Sequence, residues 1–256
     1  MPDFIDTHAH IYLDNFKDDI EQIIAECKAK GVNRIFMPNI DHSSSEDMLA
    51  LESRFPETCF AMMGLHPCSV KPGFEKELYE VERFLAQRKF IAVGEMGIDL
   101  YWDKSYLEEQ KEAFTIQVNL ALKHQLPIVI HCRESFEEAI TLVETLNNGS
   151  LRGVFHCFTG TREEAQRVIE QGFYLGLGGV TTFKNGGMDK VVPFLDMDYI
   201  LLETDSPYLS PVPYRGKRNQ PGYIPIIAER IAQLKNITID EVAKRTTLNA
   251  EKLFGV

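Results

Sequence analysis

Six residues carry the side chains from which a hydrolytic metal centre is built: His8, His10, Glu95, His131, His156 and Asp205. His8 and His10 sit one residue apart in Phe4-Ile5-Asp6-Thr7-His8-Ala9-His10. Side chains alternate along an extended strand, so both imidazoles point the same way. Four imidazoles and two carboxylates are too many for one tetrahedral ion and suit two ions sharing a ligand. Glu95, with two oxygens, is the expected bridge. The division is His8, His10, Glu95 and Asp205 around one ion, and Glu95, His131 and His156 around the other. Two divalent ions about 3.5 to 4 Å apart activate a water and clamp the oxygens of an in-line displacement. Asp205 is expected to orient that water and take its proton. Imidazole favours zinc, manganese, cobalt or nickel, while a weaker position accepts magnesium when a phosphate adds oxygens.

These residues are far apart in sequence, so the fold must gather them. Short apolar runs recur along the chain: Phe4–His8, Arg34–Pro38, Cys59–Gly64, Phe90–Glu95, Pro127–His131, Arg152–His156, Phe173–Leu177 and Tyr199–Thr204. Between them lie amphipathic stretches with helical spacing, such as Ile20, Ile23, Ile24 and Cys27, or Leu78, Val81 and Leu85. Capping boxes are expected at Ser105 with Glu108 and at Thr161 with Glu164. A short helix is expected near Met188 to Val192, and two more helices over about Tyr223–Leu234 and Thr238–Thr246. Eight strands alternating with helices, and no glycine-rich nucleotide turn, predict a closed α/β barrel of the TIM-type (β/α)8 kind. Residues 1–256 read as a single domain. In such barrels the C-terminal strand ends carry the active site, and all six residues fall there.

The 256-residue chain is 44% apolar, enough for a large core, and its net charge of −11 argues against a broad basic nucleic-acid surface. Five scattered cysteines without a C-x-x-C pair argue against a disulfide framework. No leader-like segment or long apolar run is present. The expectation is a cytoplasmic protein with no membrane association and no obligate protein partner evident.

Other residues are read against plainer roles. His66, in Gly64-Leu65-His66-Pro67, is expected to contact substrate or leaving group. Asp6 is expected to hold a histidine nitrogen from behind. Glu203 is either a partner to the site or an ordinary buried ion-pair acid. Arg133, two residues after His131, either contacts phosphate or pairs with a loop carboxylate. The compact basic patch Tyr214-Arg215-Gly216-Lys217-Arg218-Asn219 follows Asp205 closely, and Arg215, Lys217 and Arg218 either hold a phosphodiester backbone or belong to a solvated loop paired to a Glu or Asp elsewhere. Thr159 opens a helix whose amides suit a phosphate oxygen. Tyr208 is one of several aromatics placed to meet a base. Cys132 and Cys157 read as packing residues, His42 as solvent-exposed, and His124 as a helix-end histidine.

The ordered motifs D-T-H-A-H (6–10), G-L-H-P (64–67), G-E-M-G-I-D (94–99), H-C-R-E (131–134), F-H-C-F-T-G (155–160), L-L-E-T-D-S-P-Y-L (201–209) and P-V-P-Y-R-G-K-R-N (211–219) resemble the TatD family of metal-dependent hydrolases, in the amidohydrolase class of barrels. The resemblance spans nearly the whole chain. Its six ligand positions match His8, His10, Glu95, His131, His156 and Asp205. Gln220 departs from the acid that many relatives carry before proline. The resemblance implies a deoxyribonuclease acting as a 3′-5′ exonuclease on DNA, single-stranded or at 3′ ends, with magnesium supporting activity. A metal-dependent amidohydrolase, lactonase or deacylase acting on a carbonyl is the alternative.

Overall fold

The computed structural model describes residues 2–256. Eight parallel strands form the barrel wall: β1 (Phe4–Asp6), β2 (Val32–Pro38), β3 (Cys59–Met62), β4 (Val93–Asp99), β5 (Ile128–Arg133), β6 (Gly153–Phe155), β7 (Tyr174–Leu177) and β8 (Ile200–Leu202). Helices α1 (Ile20–Ala29), α2 (His42–Arg54), α3 (Phe74–Gln87), α4 (Leu107–His124), α5 (Phe136–Leu146) and α6 (Arg162–Glu170) cross over between successive strands. Short 3₁₀ turns at Met188–Lys190 and Val192–Phe194 replace the expected helix between β7 and β8. After β8 come α7 (Ile224–Lys235) and α8 (Ile239–Phe254), the latter running eight residues past Thr246.

The wall consists of two hydrogen-bonded sheets, β1-β2-β3 and β4-β5-β6-β7-β8. They meet at two isolated bridges, Met63 with Val93 and Ala9 with Ser206. Backbone bonds support both joins: Gly94 N–H donates to Met63 O (3.0 Å), Thr7 N–H to Leu202 O (3.0 Å) and Asp205 N–H to His8 O (2.9 Å).

Two apolar clusters hold the fold. One fills the space between wall and helices, with Ile23, Ile24, Leu78, Val81, Phe114, Ile140 and Ile227 packed on Met37, Met63, Ile130 and Leu175. The other draws one residue from each strand region: Ile5, Phe36, Met62, Ala92, Val129, Val154, Tyr174 and Leu201. Leu253 and Phe254 of α8 complete this inner cluster, with the Phe254 ring 4.9 Å from that of Phe36. Arg34 pairs with Glu251 (2.7 Å) and Arg152 donates to Leu253 O (3.4 Å). Because Arg34 and Arg152 stand at the N-terminal ends of β2 and β6, the end of α8 covers the lower opening. The upper mouth is left to polar residues.

Of three local expectations, two change and one holds. Strand four lies at Val93–Asp99 instead of Phe90–Glu95, because the less apolar Met96–Asp99 run continues to pair with Ile130–Arg133. The Ser105–Glu108 box does not form: Asp103 takes the Ser105 amide (2.9 Å), Glu108 pairs with Lys111 (2.8 Å), and α4 starts at Leu107 without a side-chain cap. The Thr161–Glu164 box does form, each side chain receiving the other residue's amide.

Candidate metal centre

Glu95 stands at the middle of the upper mouth and is buried. A register shift between Val93 and Met96 interrupts the β4–β5 ladder around it. Its Oε2 lies 3.1 Å from His8 Nε2 and 3.4 Å from His10 Nε2. Its Oε1 lies 2.7 Å from His156 Nε2, 2.8 Å from His131 Nδ1 and 3.5 Å from His66 Nε2. Five imidazoles from four strand ends therefore converge on one carboxylate. Asp205 Oδ1 completes the group at 3.9 Å from His8 Nε2 and 3.8 Å from His10 Nε2.

The backbone explains the convergence. β1 ends at Asp6, and the chain bends at Thr7 before the two histidines. β8 ends at Leu202, and Asp205 takes a left-handed conformation (φ 56°), which Asp tolerates better than most residues. His131 lies within β5 and His156 just beyond β6. Gly97 faces the His131 backbone so closely that a Cβ would fall 1.9 Å from His131 O.

The donor set fits metal ions. Two imidazole nitrogens on one tetrahedral ion at zinc-like bond lengths stand about 3.3 Å apart. His8 Nε2 and His10 Nε2 are separated by 3.3 Å, and His131 Nδ1 and His156 Nε2 by 3.4 Å. Donor atoms also gather within 4.8 Å of one another in three overlapping groups: His8, His10 and Glu95; His8, His156 and Asp205; and His66, Glu95 and His131. His66 thus faces the same carboxylate as the other imidazoles.

Electrostatics follow from burial and crowding. Burial pushes the Glu95 carboxyl up, but His156, His8 and His66 outweigh it and hold Glu95 well below the usual carboxylate range. Burial lowers His8 well below an ordinary histidine, against the pull of Glu95. Burial opposes protonation of His156 too, but Glu95 and Glu203 raise it well above the normal value. Burial also raises Asp205, to about 6, despite His156 and His10.

Two supporting residues escaped the sequence reading. Asp99 Oδ2 lies 2.9 Å from His131 Nε2, on the ring edge opposite Glu95. Tyr12 OH lies 2.9 Å from His10 Nδ1 and donates to Pro38 O (2.7 Å). Asp99 was signalled by period-two spacing along β4, Glu95-x-Gly97-x-Asp99, whereas Tyr12 lies in the turn after His10, which strand spacing does not describe. Asp6 does not hold a ring nitrogen. Its carboxylate accepts from the His8 amide (3.2 Å) and from the amide (2.9 Å) and hydroxyl of Thr204, because the bend at Thr7 ends the alternation assumed for it. Glu203 Oε1 takes the Cys157 amide (2.5 Å) and lies 3.6 Å from His156 Nδ1, an ion-pair separation. A Cβ at Gly176 would come within 2.1 Å of Glu203 Oε2, so this glycine makes the space.

The outer contacts divide. The Arg133 guanidinium has no carboxylate partner among the described residues and lies 3.7 Å from the Tyr101 ring centre. Arg215 donates to Ser210 O (2.8 Å) and stacks on Phe183 (3.8 Å). Lys217 is exposed. Arg218, a candidate to hold phosphate, is instead engaged by Asp19 through both carboxylate oxygens (2.9 and 2.5 Å) and packs over Phe16. Tyr208 is 53% exposed with its ring 6.4 Å from His10. Thr159 is exposed and lines a 480 Å³ cleft beside His156. His42 is exposed and pairs with Glu77 (2.6 Å). Burial raises the thiol of Cys132 to about 11 and that of Cys157 well above normal, consistent with packing roles.

A parallel α/β barrel with histidines and carboxylates crowded at one mouth defines a metal-dependent hydrolase. The family model described as TatD related DNase matches residues 5–255. An uncharacterized metal-dependent hydrolase, YabD of Bacillus subtilis, is 39% identical over 252 residues, covering 98% of each chain. A 3′-5′ ssDNA/RNA exonuclease TatD of Escherichia fergusonii is 32% identical over 247 residues, 94% of this chain and 95% of that one. The crystal structure of YJJV, a TatD homolog from Escherichia coli K12, superposes with a TM-score of 0.93 at 28% identity, covering 99% of this chain and 98% of that one. The chain belongs to the TatD family. No helix among the described residues is long and apolar enough to cross a membrane.

Proposed function

We propose that the protein is a deoxyribonuclease that hydrolyses phosphodiester bonds and removes nucleotides from single-stranded 3′ ends. In this reading residues 1–256 act as one domain, and two divalent ions are held by His8, His10, Glu95, His131, His156 and Asp205. The carrying observation is on β5. His131 of the cluster and Arg133, a guanidinium without a carboxylate partner among the described residues, lie two residues apart on one strand face. A cation at that place suits a substrate that brings its own negative charge to the donor cluster, which a neutral amide or lactone does not. The nuclease description of the Escherichia fergusonii relative supports the same substrate class. Five cysteines, all free, support action in the reducing cytoplasm.

Bound divalent ions would supply Lewis acidity and a water acidified toward neutral pH, with magnesium sufficient once phosphate oxygens join the donors. The chain's own groups do the rest. Asp205, raised by burial to about 6, accepts the proton of the attacking water at Oδ1. Glu95 stays ionised and keeps the two histidine sets on opposite oxygens. Asp99 and Tyr12 fix the rings of His131 and His10. Arg133, Arg215 and Lys217 attract the remaining phosphate charge, Thr159 and Tyr208 border the bound strand, and His66 meets the leaving oxygen.

The test is digestion of 3′- and 5′-labelled oligodeoxynucleotides with added magnesium or manganese, beside an oligoribonucleotide and a panel of lactones and amides. Release of mononucleotides from the 3′ end is expected. Intact oligonucleotides together with hydrolysed lactones or amides would overturn the reading.

A further inference from the structure

Tyr101 and Trp102 lie just past β4, after Leu100, and are unusually open for aromatic residues, 49% and 71% exposed. Their rings meet edge to face, with centroids 4.9 Å apart at 88°. The Arg133 guanidinium covers the Tyr101 ring at 3.7 Å and stands 5.5 Å from the Trp102 ring centre. Arginine thus occupies a face of Tyr101 while the indole remains largely in solvent.

This corner is tied to the candidate metal centre by one carboxylate. Asp99 Oδ1 accepts the amides of Tyr101 (2.9 Å) and Trp102 (3.2 Å), while Asp99 Oδ2 faces His131 Nε2 (2.9 Å). The Leu100 amide also donates to Arg133 O (3.0 Å), pinning the loop to β5. Arg133 lies two residues from His131, about 7 Å along a strand, which is within the span of one nucleotide.

From these contacts we infer that Trp102, backed by Tyr101 and Arg133, is a base-stacking platform for the nucleotide next to the scissile phosphate; the inference rests on the nuclease reading. The indole takes the base face, and Arg133 meets the flanking phosphate. Stacking of this kind tolerates any base, because each has a π-face. It also requires an unstacked base, so the platform selects frayed or single-stranded ends over duplex interiors. Asp99 then has two tasks, orienting His131 and holding the platform at a fixed offset from it.

Trp102 is the only tryptophan in the chain, so its fluorescence reports the contact directly. The metal-loaded protein is titrated with a phosphorothioate oligothymidylate that resists cleavage. In parallel, KM is measured for oligodeoxynucleotides with a normal or an abasic residue at the platform position, using wild type, Trp102→Ala and Trp102→Phe. Saturable quenching is expected. The abasic substrate should have a KM about tenfold higher in wild type, the ratio should collapse toward one in Trp102→Ala, and Trp102→Phe should restore most of it. If wild type cleaves normal oligonucleotides but fluorescence does not move, or the ratio survives in Trp102→Ala, the platform is refuted and the nuclease reading stands. If wild type cleaves neither oligonucleotide, the nuclease reading falls and the platform with it.

Discussion

Asp99 grips His131 from the side opposite Glu95: its Oδ2 is 2.9 Å from Nε2, while Nδ1 is 2.8 Å from Glu95 Oε1. Asp99 thereby holds Nε2 and leaves Nδ1 turned into the donor cluster. Burial disfavours charge on this ring, yet its hydrogen bonds to the Asp99 and Glu95 carboxylates raise its pKa above the ordinary value. Replacing Asp99 by Ala frees the ring to rotate. Loss of such a supporting carboxylate costs about 10- to 100-fold in metal affinity or activity. Metal titration of the Asp99→Ala variant, read by isothermal calorimetry, checks the drop against wild type.

Glu95 and Asp205 should separate when each is removed. Glu95→Ala removes both oxygens around which the imidazoles gather, so bound metal and turnover should fall together. Asp205→Asn keeps the side-chain shape but not the base, and turnover should fall by about 10² to 10⁴, the usual contribution of a positioned base. Metal content by inductively coupled plasma mass spectrometry, measured with kcat on the same preparations, distinguishes the two. Near-normal turnover in Asp205→Asn would remove its assigned role.

Adding or stripping cations should change stability as well as activity. A ligand bound only by the folded state at 100 times its Kd adds about 2.7 kcal/mol. Chelation of the loaded protein is expected to lower the melting midpoint in scanning calorimetry, and added manganese or zinc to restore it. An unchanged midpoint across the chelator series would mean that the cluster holds no ion.

Asp41 gives a pH-dependent contribution at the start of α2. It caps α2 and accepts from the Ser43 amide (3.0 Å), the Ser43 hydroxyl (2.5 Å) and the Ser69 hydroxyl (2.9 Å). Burial raises its carboxyl, but the hydrogen bonds from Ser43 and Ser69 prevail and lower it. A lowered folded-state pKa stabilises above the unfolded value, near about 3.9, and the benefit fades as pH falls through the folded value. Asp41→Ala should cost about 1 kcal/mol at pH 7. The gap between variant and wild type in urea melts should narrow below about pH 4.

Phe254 tests the lower opening. Truncating a buried Phe to Ala costs about 3 to 5 kcal/mol, through lost transfer energy and the cavity left behind. Phe254→Ala should show that loss in denaturant melts, and Phe254→Leu a smaller one.

The barrel and its crowded mouth were legible because rare side chains stood at the ends of apolar runs, and a closed wall brings strand ends together. What escaped depended on local geometry or distant pairing. The apolar Phe90–Val93 run set the expected frame of strand four, so Asp99 fell beyond its expected end. The Ser105 box gave way to the nearer acceptor Asp103. The partner of Arg218 could not be named because Asp19 is 199 residues away, and no local pattern signals that pair. Asp6 followed strand alternation only until the bend at Thr7.

Between the two sheets of the wall the ladder shrinks, among the described residues, to two isolated bridges, Met63–Val93 and Ala9–Ser206, with a few flanking backbone bonds. Glu95 stands two residues past the first, and His8, His10 and Asp205 flank the second. An ion gripped between Glu95 and the paired histidines would act as a rivet through both joins. Losing it would unfasten the cylinder where its ladder is thinnest. Amide exchange at Gly94 and Asp205 would then accelerate before that of the central β5 ladder.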